Sequence, residues 1–285
     1  MKFLITGVNG QLGHDVKEEL MESGYSDILA PTSAEMDITK KEQVEEIVLD
    51  YQPDVIFHCA AYTAVDQAED EKEKCYDINV NGTKYLTDAA SLVQAKIIYI
   101  STDYVFDGTK DEGYDVDDET HPVNYYGETK YLGEEIVKKY ENHIIVRISW
   151  VFGINGKNFV KTMLRLAETK SELSVVSDQI GSPTYTKDLS KLLVDMSLSD
   201  IRGTYHATNE GYCSWYDFAK TIFEVNHIDM KVSPILTKDY KTKAKRPLNS
   251  RLNKDCLDDV NLDRLPDWKD AVKRYCKVLK KEEKR

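Results

Sequence analysis

Phe3-Leu4-Ile5-Thr6-Gly7-Val8-Asn9-Gly10-Gln11-Leu12-Gly13 joins an apolar β-rich run to an amphipathic segment through glycines spaced GxxGxxG. The run predicts a strand over Phe3 to Thr6, and the segment predicts a helix from Gln11 to Ser23, stopped by Gly24. A dinucleotide-binding turn has this form. One glycine permits the tight turn, one lets the backbone approach a pyrophosphate, and one lets helix and strand pack closely. Free N–H groups at the helix start, on the positive end of its dipole, attract the phosphates. Gly7, Gly10, Gln11, Leu12 and Gly13 are therefore the candidate cofactor-binding residues of this turn.

Strand and helix patterns keep alternating outward from the turn. Ile28 to Ala30 predicts a short strand, and Thr39-Lys40-Lys41-Glu42 has the spacing of a capping box opening a helix that ends near Tyr51. Val55 to Ala60 predicts a buried strand, Cys75 to Val93 a long helix, and Lys96 to Ser101 another strand. Tyr126 to Tyr140 then predicts a helix, and Ile144 to Ile148 a strand. Alternation with continuous β-branched runs such as Ile97-Ile98-Tyr99-Ile100 implies a parallel sheet covered on both faces. The expected fold is α/β, a Rossmann-type doubly wound parallel sheet with a smaller, discontinuous C-terminal substrate-binding domain. Residues 1–150 form the dinucleotide-binding part, rejoined by about 184–208, because Gly203 to Thr208 has the pattern of a strand returning to the sheet. Residues 151–183 and 209–285 form the substrate-binding part, and Lys280 to Arg285 is expected to be a frayed charged tail.

The formal net charge of −12 opposes general binding to nucleic-acid phosphates. No run approaches the roughly 20 apolar residues of a membrane span. Five cysteines without a CxxC pair, and no signal peptide, fit reduced thiols in the cytoplasm. Six histidines without HExxH spacing give no metal motif.

Tyr126-Gly127-Glu128-Thr129-Lys130 places a phenol and an amine at i and i+4, on one helix face. Carbonyl reduction needs a proton delivered to oxygen as hydride reaches carbon, and a tyrosine hydroxyl can supply it. Its ordinary pKa near 10 makes it sluggish, so a neighbouring lysine cation is expected to lower it. Ser101-Thr102-Asp103 ends a strand at the carboxyl edge of the sheet, where open α/β sheets bind ligands. Thr102 is placed to bond a substrate carbonyl beside Tyr126, and Asp103 either to take a sugar hydroxyl or to brace a turn. The end of the second strand, Ala30-Pro31-Thr32-Ser33, carries neither the acid typical of NAD binding nor an arginine for a 2′-phosphate. That leans slightly to NADP, with Thr32 and Ser33 as donors; NADPH and NADH both stay open.

These motifs resemble the dTDP-4-dehydrorhamnose reductase family. The resemblance also rests on Ala60-Ala61-Tyr62-Thr63-Ala64-Val65-Asp66, Ser101 to Phe106, Arg147 to Val151, Phe159 to Leu164, Asp178 to Thr184 and Arg246 to Leu252, and covers nearly the whole chain. It implies reduction of the C4 keto group of dTDP-4-dehydro-6-deoxy-L-mannose to dTDP-L-rhamnose. By it Thr102, Tyr126 and Lys130 are catalytic. Asp37 and Ile38 contact the adenine end, Ala60, Ala61, Tyr62 and Thr63 line the nicotinamide side, and Thr102, Asp103 and Trp150 touch the sugar. Arg246 or Arg251 is available to the substrate diphosphate, or is plain surface charge. Some members dimerise through Mg²⁺ held by glutamates; here His14-Asp15 and Lys187-Asp188 stand in the comparable stretches. No metal is expected on that ground, and monomer and homodimer both stay open. Another nucleotide-sugar reductase or epimerase of the superfamily, or a non-catalytic regulatory subunit of the same fold, are the competing readings.

Overall fold

A computed structural model describes residues 1–282. The first strand, β1 (Phe3–Thr6), is wholly buried and leads into α1 (Gln11–Glu22). There follow β2 (Ile28–Leu29), α2 (Lys41–Tyr51), β3 (Val55–His58), α3 (Gly82–Val93), β4 (Lys96–Thr102), α4 (Tyr125–Val137) and β5 (His143–Ile148). The remaining longer elements are α5 (Phe159–Ala167), β6 (Glu172–Val176), α6 (Thr186–Leu198), β7 (Gly203–His206), α7 (Trp215–Asn226), β8 (Lys231–Ile235) and α8 (Trp268–Glu282). Six strands pair in the order β7-β5-β4-β3-β1-β2, all parallel.

The strands divide their side chains between two cores because successive residues point to opposite faces. Phe3, Ile5, Phe57, Ile98 and Val146 pack with Leu12, Val16 and Leu20 of α1 and with Leu189 and Leu193 of α6. Leu4, Ile56, Ile97 and Ile145 face Val44 and Val48 of α2, Leu86 and Ala90 of α3, and Val137 of α4. This is the doubly wound sheet the sequence predicts. Leu257 and Leu265, far along the chain, complete the first core. A third core gathers aromatic rings: Phe152 stacks on Tyr185 and meets Phe218 and Tyr275, while Trp268 packs edge-on against Phe218. Beside it β6 pairs in parallel with β8.

Three sequence expectations differ from the structure. The capping box at Thr39 does not form: Lys40 is the N-cap of α2 without a side-chain bond, and Thr39 gives both its N–H and its hydroxyl to Asp37 Oδ1. The Thr39 hydroxyl is turned back to a carboxylate two residues upstream instead of accepting from the free N–H groups of the helix start. The helix expected from Cys75 to Val93 is broken into Lys72–Tyr76, a π-turn over Asp77–Asn81, and α3. Asn79, inside that turn, bonds through its side chain to the Tyr62 backbone and to Thr129. Finally, α8 runs through Lys280 to Glu282 and buries Leu279, so those residues are not frayed; residues 283–285 of the expected tail lie outside the described residues. No helix of the described residues is long and apolar enough to cross a membrane.

Candidate active site

A cleft of about 880 Å³ opens at the carboxyl ends of the parallel strands. At one end it is built from backbone. Gly7 has φ +71°, and a Cβ there would lie 2.7 Å from the Ala60 nitrogen; a Cβ on Gly13 would lie 2.4 Å from the Gly7 oxygen. Both positions therefore require glycine. Gly10 is the N-cap of α1 and no side chain caps the helix. Gly10, Gln11, Leu12 and Gly13 line the cleft, so uncapped N–H groups and the positive helix end face it. This cradle fits a dinucleotide pyrophosphate.

The Gln11 side chain has another task. Its Oε1 accepts from the Gly153 nitrogen at 2.8 Å and from Asn158 Nδ2 at 3.0 Å, while Asn155 Nδ2 donates to the Asn9 carbonyl at 3.0 Å. The loop Gly153–Asn158 is thereby docked on the glycine turn, and its Lys157 lines the cleft.

Asp37, Ile38, Ala60, Ala61 and Thr63 also line the cleft, as expected. Tyr62 is not among the lining residues. Its ring packs with Ala68 and Cys75. Asn79 clasps its backbone, accepting from the Tyr62 nitrogen at 2.8 Å and donating to its carbonyl at 3.2 Å. Asn79 Nδ2 also donates to Thr129 Oγ1 on α4 at 3.0 Å. One buried amide from the π-turn thus ties the cleft wall to the Tyr126–Lys130 helix, and π-turns inside helices frequently mark such sites. Nothing local in the sequence announces it.

The other end is built from side chains. Asn124 caps α4, accepting from the Gly127 nitrogen at 2.8 Å and donating to the Lys245 carbonyl at 2.8 Å. A Cβ on Gly127 would come within 2.2 Å of the Tyr104 carbonyl. The start of α4 is therefore pressed onto the turn that ends β4, which brings Tyr126 beside Thr102. Tyr104 packs edge-on to Tyr126 at 5.9 Å. Lys130 is buried, with Nζ 4.0 Å from the centre of the Tyr99 ring.

Burial sets the electrostatics here. It pushes the Tyr126 phenol up, with Asp103 adding to the rise and the Thr102 hydroxyl opposing it. Burial also pulls Lys130 down to about 7. The expected lowering of Tyr126 by Lys130 is thus absent, because desolvation penalises both charged forms. One turn further, the buried Glu134 accepts from Arg147 through Nε at 2.9 Å and Nη2 at 2.8 Å, and from Ser101 Oγ at 2.6 Å. This pair fastens α4 to β4 and β5. No spacing in the sequence indicates it.

Asp103 is buried; its Oδ1 accepts from Thr102 Oγ1 at 2.9 Å, and its Oδ2 has no hydrogen-bond partner. Burial raises its carboxyl to about 6. Trp150 has φ +49° and stacks on Trp215 with ring centres 3.8 Å apart. A Cβ on Gly181 would lie 2.8 Å from the Trp150 indole, so the ring is held from both sides. Trp150 and Trp215 both line the cleft. Trp215, first residue of α7, was not singled out by the sequence.

Arg246 and Arg251 do not line the cleft. Arg246 holds Asp66 bidentately at 3.0 and 2.7 Å, and Arg251 donates to Asn249 Oδ1 at 2.9 Å and to the Asp111 carbonyl. Both guanidinium groups bond acceptors of the chain itself. At the two stretches compared with a metal site, Asp15 accepts from Thr186, and Lys187 pairs with Glu19 at 3.0 Å and Glu22 at 2.6 Å. Among the described residues, no cluster of three or more His, Cys, Asp or Glu side chains gathers to hold a metal ion.

Known proteins resemble this chain over nearly its whole length. The family model described as RmlD substrate binding domain matches residues 1–281. The spore coat polysaccharide biosynthesis protein SpsK of Bacillus subtilis (strain 168) is 42% identical over 275 residues, 96% of either chain. The dTDP-4-dehydrorhamnose reductase of Aggregatibacter actinomycetemcomitans is 42% identical over 291 residues, covering 95% of this chain and 97% of the relative. The crystal structure of dTDP-4-dehydrorhamnose reductase from Bacillus anthracis str. Ames, in complex with NADP, superposes with a TM-score of 0.94 at 44% identity, covering 96% of this chain and 99% of that one. On sequence and fold together, the chain belongs to the RmlD substrate binding domain family.

Proposed function

We propose that this chain is an NAD(P)H-dependent oxidoreductase that reduces the C4 keto group of dTDP-4-dehydro-6-deoxy-L-mannose, giving dTDP-L-rhamnose in dTDP-rhamnose biosynthesis. The observation that carries the reading is that buried Thr102 and Lys130 and half-buried Tyr126 line the same cleft as an uncapped glycine turn. The full-length family match supports it.

When bound, the reduced dinucleotide supplies the hydride. Gly10, Gln11 and Leu12 receive its pyrophosphate through backbone N–H groups, and Asp37 and Ile38 flank its adenine end. Ala60, Ala61 and Thr63 border the nicotinamide side. Tyr126 delivers the proton to the keto oxygen, so one hydride and one proton convert C=O to CH–OH. A phenol raised by burial holds its proton until the carbonyl oxygen gains charge. Thr102 Oγ1 now donates to Asp103 and must turn from it to bond the keto oxygen. The unpaired Oδ2 of Asp103 is the acceptor for a sugar hydroxyl, and Trp150 supplies a flat apolar wall. Lys130, near neutrality in the protein alone, gains its proton most readily when an anionic or hydroxyl-rich ligand fills the cleft beside it.

Residues 1–150 with about 184–208 serve as the cofactor-binding part, and 151–183 with 209–285 as the part that closes on the nucleotide sugar. We place the reaction in the cytoplasm, where five unpaired thiols stay reduced. The experiment mixes the protein with the keto sugar nucleotide and either NADH or NADPH and follows the fall in nicotinamide absorbance. Stoichiometric loss with formation of dTDP-L-rhamnose is expected. No loss with either dinucleotide sinks the proposal.

A further inference from the structure

The sequence shows no acid at the end of the second strand, yet the fold brings an exposed one, Glu35, against the rim of the cleft there, outside the lining itself. Thr32 lines the cleft just beyond β2, where dinucleotide folds hold the adenosine ribose. Glu35 folds back onto it: Glu35 Oε2 accepts from the Thr32 nitrogen at 2.8 Å and from Thr32 Oγ1 at 2.8 Å. The loop is fixed in this form by Gln43, whose Nε2 donates to the Glu35 carbonyl at 3.0 Å and whose Oε1 accepts from the Asp37 nitrogen at 2.8 Å. These bonds have two consequences. The Thr32 donors, otherwise available to a phosphate, are already given to a carboxylate. That carboxylate keeps its other oxygen, Oε1, without a hydrogen bond among the described residues. The Thr32 bonds also hold its pKa below the ordinary glutamate range, so it is charged at neutral pH. No cation offsets it on the cleft wall: among the described residues the lysines lining the cleft are Lys130 and Lys157, on α4 and on the docked loop. Lys40 and Lys41 follow at the start of α2, outside the lining.

We infer that Glu35, held by Thr32, is the residue that sets the choice of dinucleotide, accepting from a ribose 2′-hydroxyl and repelling a 2′-phosphate, so that this chain binds NADH more tightly than NADPH. The inference rests on the reductase reading and deepens it, replacing the slight leaning to NADP drawn from the sequence.

The test is direct binding, without sugar substrate. NADH and NADPH are titrated separately into the wild type, E35Q and E35R, following nicotinamide fluorescence excited through tryptophan, with thermal melts to confirm folding. In the wild type the Kd for NADPH should exceed that for NADH about tenfold, the size expected for gaining or losing a bond to a charged group. The ratio should shrink as salt rises from about 0.02 to 0.5 M, because the repulsion is screened. E35Q should bring the two constants close together, and E35R should invert them. Equal or tighter NADPH binding by the wild type, or a ratio unmoved in folded E35Q, overturns the inference while leaving the reductase reading intact. Failure of the wild type to bind either dinucleotide sinks both.

Discussion

The two ends of the cleft are made of different material. The phosphate end is backbone: a left-handed glycine, a helix without a cap and two positions where a Cβ has no room. The catalytic end is side chain: a half-buried phenol, and an amine and a carboxyl that are buried, each displaced from its ordinary pKa by desolvation. Backbone donors need no counterpart elsewhere in the sequence, because the local turn creates them. Buried ionisable groups need neighbours to place them, and those neighbours come from everywhere: Asn79, Asn124, Glu134 and Arg147. One end is therefore robust to most changes around it, and the other depends on a web of contacts.

Substitutions at the two ends should fail in different ways. Tyr126→Phe should lower kcat about 10²–10⁴-fold, the usual worth of a positioned acid. Its Kd for NADH or NADPH should stay within about twofold, since Tyr126 adds nothing to the phosphate cradle. Rapid turnover by the variant would remove Tyr126 from the acid role. Gly7→Ala should act at the other end: it forces a left-handed φ on an L-residue and drives a methyl into Ala60. A loss of about 1–3 kcal/mol in stability is expected, seen as a lower Tm, together with weakened dinucleotide binding. A variant that melts and binds like the wild type would show that the turn has freedom the structure denies it.

The smallest effect concerns Asp103. Its folded pKa, about 6, lies above the ordinary value, so protonation favours the folded state and the carboxylate forms only as pH rises through 6. Below that pH Oδ2 loses its capacity as a charged acceptor. The KM for the sugar nucleotide should therefore rise as pH falls from 7 to 5 in the wild type. In Asp103→Asn it should be flat with pH and about threefold to tenfold higher at pH 7. Because the raised pKa costs the wild type stability above pH 6, the Tm of Asp103→Asn relative to wild type should improve from pH 5 to pH 8. A KM profile of the same slope in both proteins would assign the titration elsewhere.

Most of the sheet was legible in the sequence, for a physical reason. Strands covered on both faces, such as Ile97 to Ile100, are continuous apolar runs, and the turn between β1 and α1 can be made by few residues besides glycine. The Tyr126–Lys130 pair was legible because helix spacing is local. What stayed hidden depends on distant residues. The π-turn exists to aim Asn79 at Tyr62 and at Thr129, 50 residues away. Trp215 reaches the cleft by stacking on Trp150 across the second region. The sequence left Arg246 open between a substrate contact and surface charge because its partner, Asp66, lies 180 positions upstream. Tyr62 was grouped with its neighbours in a matching run, although its ring turns into a pocket of its own beside Cys75.

The outermost strand of the main sheet, β7, and the helix before it, α6, enter only at Thr186–His206. Every group named in the chemistry except Trp150 and its stacking partner has been synthesised by residue 148. A chain ending at that length would have its reactive set complete, but α1 would have no α6 to cover it and β5 no neighbour on its outer edge. Such a truncated product would carry an exposed apolar face and an open strand edge, features that favour aggregation. Catalytic competence in this architecture thus depends on cover supplied by later residues, from α6 to Leu265, so a truncation that preserves every reactive side chain can still yield no enzyme.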